Sequence, residues 1–79
     1  MGTDQTVPAI SVVVPLLDEE GSVGELAEGL NRVLAGIGSA YEIIFVDDGS
    51  SDASFSILEE QSRRLPAVSV VRLRRNFGK

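Results

Sequence analysis

Tyr41-Glu42-Ile43-Ile44-Phe45-Val46-Asp47-Asp48-Gly49-Ser50-Ser51-Asp52 is the stretch that decides the fold. Ile43 to Val46 is the longest uninterrupted apolar run in the chain, and it is cut off by a cluster of turn formers. A short β-branched and aromatic run bounded in this way reads as a buried strand. The two acids that follow it directly need either a partner or solvent.

Working towards the N-terminus, Ile10, Val12, Val13 and Val14 form a second β-branched run that stops at Pro15, and they predict a strand buried on both faces. Between the two strands lies an acidic loop, Leu17-Asp18-Glu19-Glu20-Gly21, and then Ser22, which opens a capping box with Glu25. Val23, Leu26, Ala27, Leu30, Val33 and Leu34 recur at helical spacing, and Gly36 or Gly38 ends the helix. Working towards the C-terminus, Ser51 or Asp52 caps a second helix whose stripe includes Phe55, Leu58 and Leu65, and which Pro66 stops. Val68 to Leu73 predicts a third strand, left by a turn at Asn76-Phe77-Gly78. Strand, helix, strand, helix, strand is the signature of an α/β fold: a Rossmann-like βαβαβ unit with a parallel sheet. In such sheets ligands bind outside the carboxyl ends of the strands, which here carry Pro15 to Glu20 and Asp47 to Asp52.

Composition narrows the chemistry. The 79 residues are 43% hydrophobic and 24% charged, with no His and no Cys. A Cys/His zinc site, a disulfide framework, a Ser-His-Asp triad and a thiol nucleophile are therefore excluded. No apolar run is long enough to span a bilayer, and the N-terminus lacks the charged start of a signal peptide, so the expected location is cytoplasmic. Charge is unevenly placed. Residues 1–60 hold all twelve acids and one base, Arg32, whereas residues 61–79 hold six bases and no acid. The acidic body repels phosphate and no aromatic platform beyond Phe77 accompanies the bases, so no nucleic acid is expected as a partner. Arg63 and Arg64 instead suit the last turn of a helix.

The familiar phosphate-binding motifs are missing. Gly21-Ser22-Val23-Gly24 is not G-x-G-x-x-G and stands behind three acids, and no G-K-S/T occurs. Acids at two strand ends could hold Mg²⁺ through oxygen ligands, as in a receiver-like phosphotransfer domain. A receiver needs its phosphoacceptor Asp after the third strand, where this chain has Arg74-Arg75-Asn76. The remaining reading is a nucleotide pocket in which carboxylates accept charge-assisted hydrogen bonds from ring N–H and ribose hydroxyl groups.

These residues resemble a known family. Val12-Val13-Val14-Pro15-Leu16-Leu17-Asp18-Glu19-Glu20 is similar to the V-P-x-Y-N-E-E opening of family-2 glycosyltransferases, and Tyr41 to Asp52 to their Y-E-I-I-x-V-D-D-G-S-x-D segment. Arg75-Asn76-Phe77-Gly78-Lys79 resembles the R-N-F-G-K stretch of the polyprenyl- and dolichyl-phosphate sugar transferase-like branch. The resemblance implies the opening part of a GT-A domain, with residues 1–9 as an N-terminal tail and residues 10–79 as the nucleotide-binding part. The implied function is binding of a UDP- or GDP-type nucleotide sugar, for transfer of the sugar to an acceptor such as polyprenyl phosphate. The alternatives are a receiver-like phosphotransfer domain and a non-catalytic nucleotide-binding module.

Position by position, the resemblance implies that Pro15, Leu17 and Val46 line the base pocket. Glu19 contacts ribose or base, Asp48 accepts the uracil ring N–H, and Asp47 orients the loop. Leu17 stands where the family usually has Tyr, and Asp18 where it has Asn. Glu20 reads as a solvated loop acid, Asp52 as a helix cap, and Gly49 and Ser50 as turn chemistry. The family's metal-binding D-x-D and catalytic base come after the R-N-F-G-K stretch, and no D-x-D occurs here. The expectation is therefore no catalytic or metal-ligating residue in this chain, and Mg²⁺ or Mn²⁺ held by later segments. Those segments would also bring the enzyme to the cytoplasmic face of the membrane.

Overall fold

The computed structural model describes residues 8–73. Its elements follow in the order β1 (Ile10–Leu16), α1 (Val23–Ala35), β2 (Tyr41–Asp47), α2 (Ser54–Arg64) and β3 (Val68–Arg72). The strands form one parallel sheet in the order β1-β2-β3, with Ile10 opposite Tyr41, Pro15 opposite Val46 and Asp47 opposite Arg72. This is the Rossmann-like α/β arrangement. The expected turn at Asn76-Phe77-Gly78 lies outside the described residues.

Two successive right-handed crossovers that step the same way across a sheet deposit both helices on one face. The core lies there: Ile43 and Phe45 of β2, Leu16 of β1 and Val68 of β3 pack against Val23, Ala27 and Leu34 of α1 and Leu58 of α2. Among the described residues the opposite face carries no helix. Burial therefore alternates along β1, and Val13 is 59% exposed. The expectation of a first strand buried on both faces is corrected: the β-branched run arises from strand propensity, and only its even-numbered members reach the core.

Pro15 does not end β1, which runs on to Leu16. The backbone geometry explains why. Ile10 N–H donates to Ala40 C=O, and Leu16 C=O accepts from Asp48 N–H, so the even residues of β1 bond to β2. The odd residues, Pro15 among them, turn their backbone to the free edge. A missing N–H costs nothing there.

Helix α1 keeps its predicted span and stops at Gly36, but its apolar face is narrower than the sequence suggests. Val23, Ala27 and Leu34 are buried, whereas Leu26 and Val33 are exposed. Glu28 faces α2, where its carboxylate accepts from Gln61 and Arg64. The helical period then places Leu26 and Val33 on the flank away from α2. The capping box does not form either. Ser22 is the N-cap residue but makes no side-chain cap bond, and its hydroxyl turns back to Glu19. Helix α2 ends as expected, with Leu65 extended (φ −118°, ψ 102°) before Pro66 and with Arg63 and Arg64 in its last turn.

Candidate functional site

Two loops meet at the carboxyl end of the sheet, one running from β1 into α1 and the other from β2 into α2. Each loop must turn sharply, and each contains one left-handed residue: Asp18 (φ 51°) in the first and Gly49 (φ 89°) in the second. Glycine occupies that region without strain, and Asp is among the few other residues that tolerate it.

The loops are tied together by reciprocal bonds from backbone to side chain. Asp18 N–H donates to Ser50 Oγ at 2.8 Å, and Glu19 N–H donates to Ser54 Oγ at 2.8 Å. In return, Asp18 Oδ1 accepts Ser51 N–H at 2.8 Å and Asp52 N–H at 3.3 Å. Glu20 Oε1 accepts Ala53 N–H at 2.7 Å, and Glu20 N–H donates to Asp52 Oδ2 at 3.1 Å. Glu20 is exposed, as expected of a loop acid, but its carboxylate is also engaged. It supplies an acceptor where the first amides of α2 have no intrahelical partner. The N-cap residue of α2 is Ala53, not Ser51 or Asp52, and Ser54 N–H donates to Asp52 Oδ1 at 2.9 Å. Two carboxylates thus occupy backbone donors at the start of α2.

Asp47 is 0% exposed and lies on the helix-covered face. Its Oδ1 accepts Ser50 N–H at 2.7 Å, while Oδ2 is buried with no hydrogen-bond partner. Arg72, opposite it on β3, stacks 4.6 Å from the Phe55 ring centroid and donates from Nη2 to Ser50 C=O at 3.1 Å. Ser50 therefore joins the ends of all three strands. The sequence reading missed this hub together with Ser54, which is fully buried. Two Ser/Asp-rich loops at neighbouring strand ends were the available signal, since such side chains bond readily to nearby backbone.

Hydrogen bonding to the Ser54 side chain, with lesser help from backbone N–H groups including those of Ser54 and Glu20, holds the Asp52 carboxyl below its ordinary value of 3.8 despite some opposing desolvation. A pKa lowered on folding stabilises the fold above the unfolded value, and the effect is lost as pH falls through the folded value. Asp52→Ala should therefore melt below wild type by a constant margin from neutral pH down to about pH 5, with the margin shrinking below that. Thermal melts of both chains across this range check it; a margin that widens in acid contradicts the assignment.

The residues expected to line the base pocket fall into one group and one outlier. Pro15 and Val46 are register partners, and alternation places both on the bare face of the sheet. Asp48 N–H donates to Leu16 C=O at 3.0 Å, so Leu17 and Asp48 directly follow the paired ends of the two strands. Leu17 is 43% exposed and Asp48 is exposed. Glu19 stands apart, farther along its loop, with Oε1 3.4 Å from the Ser22 hydroxyl. The group forms an open shelf. A cleft of about 240 Å³ beside Pro8, Tyr41 and Pro66 lies at the other end of the sheet. Among the described residues no three acids converge as a metal site would require, and no helix is long and apolar enough to cross a membrane. The Arg75-Asn76-Phe77-Gly78-Lys79 motif lies outside the described residues.

The chain is 40% identical over 79 residues to the undecaprenyl-phosphate 4-deoxy-4-formamido-L-arabinose transferase of Edwardsiella ictaluri (strain 93-146), covering 99% of this chain and 24% of that protein. It is 40% identical over 73 residues to the protein of the same name from Pseudomonas paraeruginosa (strain DSM 24068 / PA7), covering 91% and 22%. Against the uncharacterized glycosyltransferase YkcC of Bacillus subtilis (strain 168) it is 41% identical over 68 residues, covering 86% and 21%. The chain thus spans about a quarter of the length of these relatives. Residues 11–79 match the glycosyl transferase family 2 pattern, and with the parallel sheet and its paired acidic loops this places the chain in glycosyl transferase family 2.

Proposed function

We propose that this chain is the nucleotide-sugar-binding segment of a glycosyltransferase that moves a sugar from a UDP- or GDP-type donor to polyprenyl phosphate. The observation that carries the reading is the grouping of Pro15, Leu17, Val46 and Asp48 on one shelf at the carboxyl ends of β1 and β2. Two apolar side chains and a proline ring offer a surface for the flat face of a base. Asp48 accepts from the base edge, the kind of polar group that fixes orientation in a mostly apolar site. Glu19, one turn of loop away, would meet the ribose. The relatives named as undecaprenyl-phosphate transferases support the lipid acceptor, and with it a place at the cytoplasmic face of a membrane.

The loops carry several acids and the first amides of α2 already hold carboxylates, so they are poorly suited to a diphosphate. A Mg²⁺ or Mn²⁺ ion would neutralise the leaving diphosphate when bound. The described residues do not form its site, and no step here passes through them.

The test is titration of the ¹⁵N-labelled chain with UDP, GDP and CDP. Uridine or guanosine diphosphate should shift the resonances of Leu17, Val46 and Asp48. Shifts confined to the cleft beside Pro8 and Pro66, or no shifts with any of the three at millimolar concentration, would reject the reading.

A further inference from the structure

We propose that Asp47 is a positioning residue for the ligand-facing carboxylate of Asp48, and that it acts through the backbone N–H of Ser50. The proposal rests on the nucleotide-binding reading above and assigns to that site a residue that touches no ligand.

The other inward-facing positions of β2 nearest to it, Ile43 and Phe45, are apolar and fully buried, as a core strand requires. Asp47 occupies the next inward position, equally buried, with one carboxylate oxygen left without a partner. Buried polar atoms are nearly always hydrogen-bonded, so an unpaired one calls for an explanation. An apolar side chain would fill the same space without that penalty. What it could not do is accept the Ser50 N–H.

That bond closes a small ring. Asp47 Oδ1 and Ser50 N–H, 2.7 Å apart, bracket only Asp48 and the left-handed Gly49. Asp48 is held on its other side by the bond from its own N–H to Leu16 C=O, and Asp47 C=O accepts Leu73 N–H at 2.9 Å. Ser50 is itself fixed, by Asp18 N–H on its Oγ and by Arg72 on its C=O. The backbone of Asp48 therefore has anchored residues on both sides. The Asp47 bond is the one that spans the flexible glycine. Without it, the Ser50 side chain and carbonyl alone hold the far side of Gly49. The peptide plane between Gly49 and Ser50 loses its hydrogen-bond anchor, and the direction of the Asp48 carboxylate is set less tightly.

The experiment compares Asp47→Ala, Asp47→Asn and wild type, using the exchange rate of the Ser50 amide proton without ligand and the affinities for UMP and CMP. Uracil presents a ring N–H where cytosine presents an acceptor, so their ratio reports on Asp48. In Asp47→Ala the Ser50 amide should exchange at least tenfold faster, and the preference for UMP over CMP should fall to within about twofold of unity. Asp47→Asn, whose amide oxygen still accepts, should restore both. A purely structural role would lower the melting temperature but leave the base preference of the folded chain unchanged, and that result overturns the proposal. So does an unaltered Ser50 amide in Asp47→Ala. If Asp47→Ala does not fold, Asp47→Asn decides: amide protection and base preference must move together, and preference lost behind a protected amide overturns the proposal. If wild type binds neither nucleotide, the nucleotide reading fails, while the ligand-free Ser50 amide still decides whether Asp47 sets the loop.

Discussion

Asp48→Ala should weaken UDP binding by about 10- to 150-fold, the loss that follows from removing a charge-assisted hydrogen bond worth roughly 1.5–3 kcal/mol. Asp48 is exposed on the shelf beside Leu17 and Val46, so its removal leaves no buried group unpaired and the loss reads directly on the ligand. Asp48→Asn should fall between wild type and Asp48→Ala, because an amide oxygen still accepts but carries no charge. Asp52→Asn should bind within about threefold of wild type, since the Asp52 carboxylate is already engaged by the amides of Glu20 and Ser54. Calorimetry with UDP on these variants separates them. If Asp52→Asn loses more affinity than Asp48→Ala, the ligand-facing acid has been placed on the wrong residue.

Phe45→Ala should abolish cooperative unfolding of the isolated chain at physiological temperature. Phe45 is the largest of the fully buried side chains, at the centre of the middle strand. Truncating a buried Phe costs about 3–5 kcal/mol, the lost transfer energy together with the cavity left behind. A chain of this length has about 4–12 kcal/mol to lose, and one bare sheet face puts it at the low end of that range. Val13→Ala on the opposite face is the control. With Val13 59% exposed, its truncation should cost under about 1 kcal/mol. Urea denaturation followed by circular dichroism compares the two, and equal midpoints would contradict the one-sided core.

The alternation of strands and helices was legible because each boundary has a local cause. Gly38, left-handed (φ 94°) just past α1, and Pro66 after α2 act through backbone geometry that needs no tertiary context. The ends of the strands were read to within a residue or two. What could not be read was which faces would be covered. A β-branched run such as Val12-Val13-Val14 looks the same whether one face or two will be buried, and only the order β1-β2-β3 decides. The same holds for Leu26 and Val33, apolar positions that need a neighbour on their flank to become core. At the candidate site, the pairing of Pro15 with Val46 followed from the expectation of a parallel sheet. The interlock did not follow. Single-sequence reasoning assigns Glu20 and Ser50 to their own loops, whereas each bonds to the other loop, more than thirty residues away.

The proline within β1 gives the free edge of the sheet a gradient. Only Ser11 and Val13 can offer amide hydrogens to an incoming strand there, because the next outward-facing position, Pro15, has none to give. Any strand recruited to this side would be zipped at the amino-terminal half and left slack beside the acidic loops. Unwanted templating by another chain would meet the same obstacle. The end of the sheet proposed to hold the nucleotide is therefore guarded against strand invasion by Pro15, the same residue proposed to line the base pocket.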